Sequence, residues 1–156
     1  MKKRSLFMII IFLIGLDQLS KYMITSNMEL YQEINIIPHF FSIYYTVNDG
    51  AAFSILKGHL YLFYIVALVG LIVIYNIYKG ATTTLTKVAC ALLTSGLLGN
   101  LIDRIINKQV IDFISFTFNT YHFAIFNLAD SFITVAIVLI IFDTLGLRKF
   151  FKKKEN

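Results

Sequence analysis

The sequence is poor in charged residues, proline and cysteine, and it contains no tryptophan. Charged residues make up only 15% of the 156 positions, against 58% that are hydrophobic, and the mean hydropathy is +0.74. Such values exclude an ordinary soluble domain of this length. The single cysteine, Cys90, excludes an internal disulfide. We therefore expect an integral membrane protein.

Common motifs for metal binding and hydrolysis are also missing. His39, His59 and His122 have neither HExxH spacing nor cysteine companions, so no zinc site and no other cofactor is expected. No GxSxG elbow is present for a serine nucleophile. Ser20 and Lys21 are adjacent and would point apart on a helix, which disfavours a Ser–Lys pair.

Four apolar segments are long enough, or nearly so, to cross a hydrocarbon core about 30 Å thick, which takes about 20 helical residues. These segments are residues 5–22, 59–78, 85–106 and 123–145. They predict one membrane domain over residues 1–156, all-α with a small β region, built on four transmembrane helices. No repeat or second domain is visible.

The basic residues orient these helices. With the N-terminus inside, ten of the fourteen Lys and Arg fall on the cytoplasmic side, so the positive-inside rule places both termini in the cytoplasm. The basic residues flank helix ends, which disfavours a nucleic-acid partner. A cleavable signal peptide at residues 1–16 is the alternative for the first segment, but no small-x-small cleavage site follows.

The two loops on the outer side, residues 26–58 and 107–122, contain runs with a period of two. Apolar side chains alternate with polar or aromatic ones over residues 41–47 and again over 114–118, a pattern typical of half-buried strands. A turn is expected at Asn119-Thr120, before the last helix. We expect a small β-sheet on the outer membrane surface, where tyrosine keeps its polar end in water.

Polar residues gather at the outer ends of three of the helices. Asp17 and Lys21 are four residues apart, so they can form an ion pair on one helix face. This pair is either a structural link or a part of a site, and the two roles are compatible. The third helix carries one polar stripe, which consists of Gly96, Asn100, Asp103 and Arg104.

The last helix carries an acid, Asp130, near its outer end. A helix starting at Phe123 would place Asp130 roughly 10 Å below that end, at about 1.5 Å per residue. An ionisable group at this depth is a functional candidate, and Asp112 is its expected partner. Two aspartates in a low-dielectric cleft share one proton and can act as general base and general acid on a peptide bond.

Five motifs, taken together, resemble those of lipoprotein signal peptidases, also called signal peptidase II. They occur in the family's order and span nearly the whole chain. They are Asp17-Gln18-x-x-Lys21, Asn48-x-Gly50-Ala51-Ala52-Phe53, Gly99-Asn100-x-x-Asp103-Arg104, Val110-x-Asp112-Phe113 and Phe126-Asn127-x-Ala129-Asp130. One departure lies in the third helix, where the family commonly has paired glycines and this chain has Ser95-Gly96-Leu97.

The resemblance implies an aspartic endopeptidase of the bacterial inner membrane, with its active site toward the extracytoplasmic face. Its substrates would be prolipoproteins, cut just before a cysteine that carries a diacylglyceryl group, and a globomycin-type inhibitor and membrane lipids would be its other ligands. Asp112 and Asp130 would be catalytic. The supporting residues would be Asp17, Lys21, Asn48, Gly50, Asn100, Asp103, Arg104, Asn127 and Ala129.

Two other classes of protein remain open from the residues alone. A small transporter would use Asp17 or Asp130 for proton coupling, although transporters place such acids nearer the bilayer midplane. A scaffold protein would use the acids only to pair with Lys21 and Arg104.

Overall fold

The computed structural model describes residues 2–50, 60–118 and 121–146 as four helices and four strands. The helices are α1 (Lys3–Asn27), α2 (Leu60–Gly80), α3 (Thr84–Asn107) and α4 (Leu128–Thr144). The strands are β1 (Glu33–Ile37), β2 (Phe41–Asn48), β3 (Val110–Phe118) and β4 (Tyr121–His122). The expected turn at Asn119-Thr120, the motif residues Ala51, Ala52 and Phe53, and the basic tail from Arg148 lie outside the described residues.

Three of the helices are long and apolar enough to cross a membrane, namely α1, α2 and α3. α2 and α3 lie within two residues of the segments predicted from hydropathy. α1 continues five residues beyond the predicted end at residue 22, because the polar residues that follow its apolar run remain helical as far as Asn27. α4 has 17 described residues.

The predicted start of the last helix at Phe123 is wrong. α4 begins at Leu128, with Asn127 as its N-cap. The residues before it are extended, since Phe126 exchanges backbone hydrogen bonds with Ile114 and the Phe123 N–H donates to the Phe116 carbonyl. The estimate that Asp130 lies well below the helix end is therefore also wrong, because Asp130 lies in the first turn.

The strands form one four-stranded sheet in the order β1-β2-β3-β4. Both period-two runs predicted from the sequence are strands, and they pair with each other, antiparallel, as β2 and β3. β1 was not predicted, and it pairs with β2 at the exposed edge. The sheet carries Asp112 on β3, opposite Thr46 of β2.

Many large apolar side chains are exposed, and the largest fully buried ones are polar. Side chains such as Phe12 and Leu68 are 68% and 60% exposed, whereas the largest fully buried side chains are polar with one charged cluster among them. Those buried side chains are Lys21, Asn127, Asp17, Asp103 and Ser95. This distribution is that of a helical bundle whose solvent is lipid, where polar groups must find their partners within the protein.

α3 packs against each of the other helices, and glycine lets α4 approach it closely. A Cβ placed on Gly96 would meet the carbonyl oxygen of Ala129, and one on Gly99 would lie 2.6 Å from the Asp17 carboxylate. Small residues at a helix contact allow this approach between backbones. The departure from the paired-glycine pattern leaves this contact intact, because Ser95 is fully buried and donates to the Ala91 carbonyl.

Gly96→Ala is expected to lower the free energy of unfolding by about 1–3 kcal/mol, because the new methyl group overlaps backbone atoms of α4 that cannot move aside cheaply. The measurement is thermal unfolding in detergent, followed by circular dichroism. Gly15→Ala is the matched control, since nothing lies within 4 Å of the Cβ it adds on α1. Equal midpoints for the two variants would show that the α3–α4 contact tolerates a larger residue.

Candidate active site

The start of α4 fixes the position of Asp130. The side chain of Asn127 accepts a hydrogen bond from the Asp130 N–H at 3.0 Å, and the Asp130 carboxylate accepts from the Asn127 N–H at 3.2 Å. This reciprocal pair is a capping box, which satisfies two amide groups that a helix start otherwise leaves free. Asp130 is therefore held at one defined place, where α4 meets the sheet.

Asn127 also holds the second aspartate. Its amide nitrogen donates to the Asp112 carboxylate at 2.8 Å. The other carboxylate oxygen of Asp112 accepts from the Asn48 amide at 3.3 Å, and the Asn48 oxygen in turn accepts from the Gly50 N–H. One fully buried side chain, Asn127, thus contacts both aspartates and sets their separation.

The orientation of Asn100 follows from Lys21. The Asn100 oxygen accepts from the Lys21 ammonium group at 3.2 Å and from the Asn127 amide at 3.0 Å. Because that oxygen is bound on the Lys21 side, the Asn100 nitrogen points the other way and donates to Asp130 at 2.8 Å. A buried lysine therefore positions a hydrogen-bond donor for Asp130 without touching Asp130.

Two further acids complete the surroundings of Lys21. Its ammonium group lies 2.8 Å from Asp17 and 2.9 Å from Asp103, and all three side chains are at most 2% exposed. Asp17 also accepts from the Ala129 N–H at 3.0 Å, and Asp103 accepts from the Ile111 N–H at 3.2 Å. The pairing of Asp17 with Lys21 predicted from their spacing is confirmed.

Gln18 belongs to this network, although sequence analysis assigned it no role. Its side-chain nitrogen is within hydrogen-bonding distance of Asp17, of the Gly99 carbonyl and of Asp103. Its position beside Asp17 in the first motif was the one feature of the sequence that indicated a role for Gln18. Spacing within α1 could not reveal it, because its partners lie mainly on α3.

Arg104 contacts a different set of residues from those around Lys21. Its guanidinium group donates to the Gly50 carbonyl at 3.1 Å and lies 4.4 Å from the centre of the Phe63 ring. Arg104 thereby links α3 to the residues that follow β2 and to α2. If the protein were only a scaffold, Arg104 would be expected to pair with an acid, and these two contacts are of another kind.

The aspartates open onto a cleft of about 800 Å³ between the sheet and helices α2, α3 and α4. Among the predicted site residues, those that line it are Asn48, Gly50, Asn100, Arg104, Asp112 and Asp130. Those absent from its lining are Asp17, Lys21, Asp103, Asn127 and Ala129. The structure thus separates a layer facing the cleft from a buried layer that supports it.

The environment of Asp112 favours its protonated form. Burial of the carboxyl group and, next, the negative charge of Asp130 raise the pKa of Asp112 from its ordinary 3.8 to about 7, although hydrogen bonds from Asn48 and Asn127 act in the opposite direction. A carboxyl group with such a pKa can hold a proton near neutral pH and give it up during a reaction.

Comparison with known proteins identifies relatives that match most of the chain. The family described as "Signal peptidase (SPase) II" matches residues 9–146. A lipoprotein signal peptidase of Listeria monocytogenes serotype 4a (strain HCC23) is 40% identical over 139 residues, covering 86% of this chain and 89% of the relative. One from Staphylococcus aureus (strain JH9) is 40% identical over 150 residues, covering 95% and 92%.

Two solved structures of a bacterial membrane enzyme are similar to this chain in fold and in sequence. A bacterial membrane enzyme determined by the in meso method at 2.3 Å resolution superimposes with a TM-score of 0.86 at 36% identity, covering 92% of this chain and 89% of the other. A second such structure, at 1.9 Å resolution, gives a TM-score of 0.83 at 36% identity, with 92% and 94% covered.

Lys21→Met is expected to lower the free energy of unfolding by about 3–5 kcal/mol, because it leaves the carboxylates of Asp17 and Asp103 buried without a cation. Lys108→Met is the control, since the Lys108 side chain is exposed and its ammonium group donates to the nearby Ile105 carbonyl. Thermal unfolding in detergent measures both. A variant at position 21 as stable as the control would mean that the two acids are neutral or hydrated.

The raised pKa of Asp112 predicts a pH dependence of stability. Between about pH 4 and pH 7 the folded protein holds a proton that the unfolded chain releases, so stability falls as the pH rises, by at most about 1.4 kcal/mol per unit. Asp112→Asn removes this contribution. The variant should therefore lose less thermal stability than the native protein between pH 5 and pH 8, whereas Glu29→Gln should follow the native curve.

Proposed function

Because this chain belongs to the signal peptidase II family, we propose that Asp112 and Asp130 are the pair of aspartates with which it works. The chain is an aspartic peptidase that removes signal peptides from prolipoproteins. One observation carries the assignment of residues. Asn127 donates to both carboxyl groups where they line the large cleft, through its backbone N–H to Asp130 and through its side-chain amide to Asp112.

The two carboxyl groups take different parts in the reaction. Asp130, which lies at the positive end of α4 and accepts hydrogen bonds from Asn100 and from the Asn127 N–H, is assigned as the ionised member, and Asp112 as the member that carries the shared proton. Asp130 removes a proton from a water molecule, whose oxygen attacks the peptide carbonyl carbon, while Asp112 protonates the carbonyl oxygen. A proton then passes from Asp130 to the peptide nitrogen, the C–N bond breaks, and Asp112 recovers its proton as the new carboxyl group forms.

The shape of the cleft suits a lipid-modified substrate. Apolar side chains of α2, α3 and α4 line the cleft together with the aspartates and Arg104. A diacylglyceryl chain on the cysteine would lie along the apolar part of the lining, which includes Val66, Leu97 and Ile133. The peptide bond just before that cysteine would then reach the aspartates. A globomycin-type inhibitor would bind in the same cleft.

The charge distribution supports an orientation in the membrane. Lys2, Lys3 and Arg4 lie at the start of α1, and Lys79 and Lys87 flank the α2–α3 connection at the same end of the bundle. The positive-inside rule makes this end cytoplasmic. With α4 as a fourth span, both termini are cytoplasmic and the aspartates face the extracytoplasmic side of the bacterial inner membrane.

The proposal predicts that Asp112→Asn and Asp130→Asn each reduce cleavage of a diacylglyceryl-modified prolipoprotein in detergent by at least about 10³-fold, since neither can then complete the proton transfers. Binding of an uncleaved substrate should persist, because the cleft keeps its shape. Cleavage is followed by the mobility shift of the substrate on gels.

Glu33→Gln is the control for these variants, because Glu33 is an exposed acid on β1 away from the cleft. It should cleave at the native rate. Near-native cleavage by either aspartate variant would refute the assignment. Loss of cleavage together with loss of thermal stability would instead point to a structural role for that residue.

A further inference from the structure

A second groove lies at the opposite end of the bundle from the aspartates, between α1, α2 and α3. It encloses about 390 Å³, which is within the range of roughly 300–1,000 Å³ common for ligand pockets. Its floor is apolar and includes Leu6, Ile74 and Cys90. Phe7 and Tyr75 line its mouth and are 64% and 60% exposed, so the groove opens on the lipid-facing surface.

The rim of this groove is positively charged. Lys3 and Lys87 are among its lining residues, and the Lys79 ammonium group lies 5.7 Å from the centre of the Tyr75 ring. No acidic residue lines the groove within the described part of the chain. Both salt bridges found among the described residues belong to Lys21, so these lysines have no acidic partner there.

An apolar floor beneath a cationic rim matches one kind of molecule. Lys3 is the first residue of α1 and Lys87 is the fourth of α3, which places both ammonium groups at the end of the bundle, where lipid headgroups lie. Lysine stems cover apolar surface while their charged ends reach the headgroup region. Basic pockets between membrane helices attract anionic lipid headgroups for this reason.

We propose that this groove binds one anionic phospholipid. Its phosphate group lies between Lys3 and Lys87, and one acyl chain runs along Leu6, Ile74 and Cys90. Peptide cleavage makes no use of this groove. The site is therefore a lipid-binding site separate from the cleft that receives the substrate.

The absence of native tryptophan allows a direct test. Phe7→Trp places a single fluorophore at the mouth of the groove, and the variant is reconstituted with brominated phosphatidylglycerol or brominated phosphatidylcholine, either of which quenches tryptophan on contact. We expect phosphatidylglycerol to occupy the site with at least about fivefold higher apparent affinity. Ile141→Trp, near the same end of the bundle on the outside of α4, is the matched control and should show no preference.

The lysines are tested by adding Lys3→Gln and Lys87→Gln to the Phe7→Trp protein, which should abolish the preference. Prolipoprotein cleavage in detergent verifies that this variant is folded, because the aspartates lie at the other end of the bundle. The proposal is overturned by equal quenching by the two lipids at position 7, by an equal preference at position 141, or by a preference that survives removal of the lysines. Quenching by neither lipid at position 7 would mean that protein fills the groove, and this too would overturn it.

Discussion

The ion pairs of the buried Lys21 ammonium group are the contacts on which the geometry of the candidate active site depends. Asp17 and Asp103 flank it, and each of these acids accepts a hydrogen bond from the residue just before one of the two aspartates, Ala129 and Ile111 respectively. One cation thus stabilises two carboxylates, and those carboxylates hold the start of α4 and the start of β3. The separation of Asp112 and Asp130 is therefore set by a network that never enters the cleft.

A membrane bundle needs such a network because its surroundings offer no hydrogen bonds. Among the described residues, every buried side-chain nitrogen or oxygen has a hydrogen-bond partner within the protein. An unpaired polar group would cost about 1–3 kcal/mol, and an unpaired charge more. The polar network therefore has to be complete for the helices to remain together, and this completeness also makes the site rigid. Gly99 contributes by leaving room for the Asp17 carboxylate.

Local patterns predicted the parts of the fold that depend on local physics. Hydropathy located α2 and α3 because a membrane span requires a long apolar run, and a period of two located β2 and β3. The start of α4 was missed because Phe123 to Phe126 are as apolar in a strand as in a helix, and only the capping residues Asn127 and Asp130 marked the true boundary. The contact of Lys21 with Asp103 joins residues 82 positions apart, which no periodicity can indicate.

The corrected start of α4 fits the proposed role of Asp112 and Asp130 in cleaving a lipid-modified substrate. Had α4 started at Phe123, Asp130 would lie about two turns inside the helix, away from β3 and the end of the bundle. In the first turn, it meets β3 at the end of the bundle and lines the cleft. Under the proposed function, the peptide bond meets the aspartates from the polar side while acyl chains attached to the next residue lie among Val66, Leu97 and Ile133. The cleft thus combines polar and apolar lining residues, as the proposed substrate combines a polar peptide with apolar acyl chains.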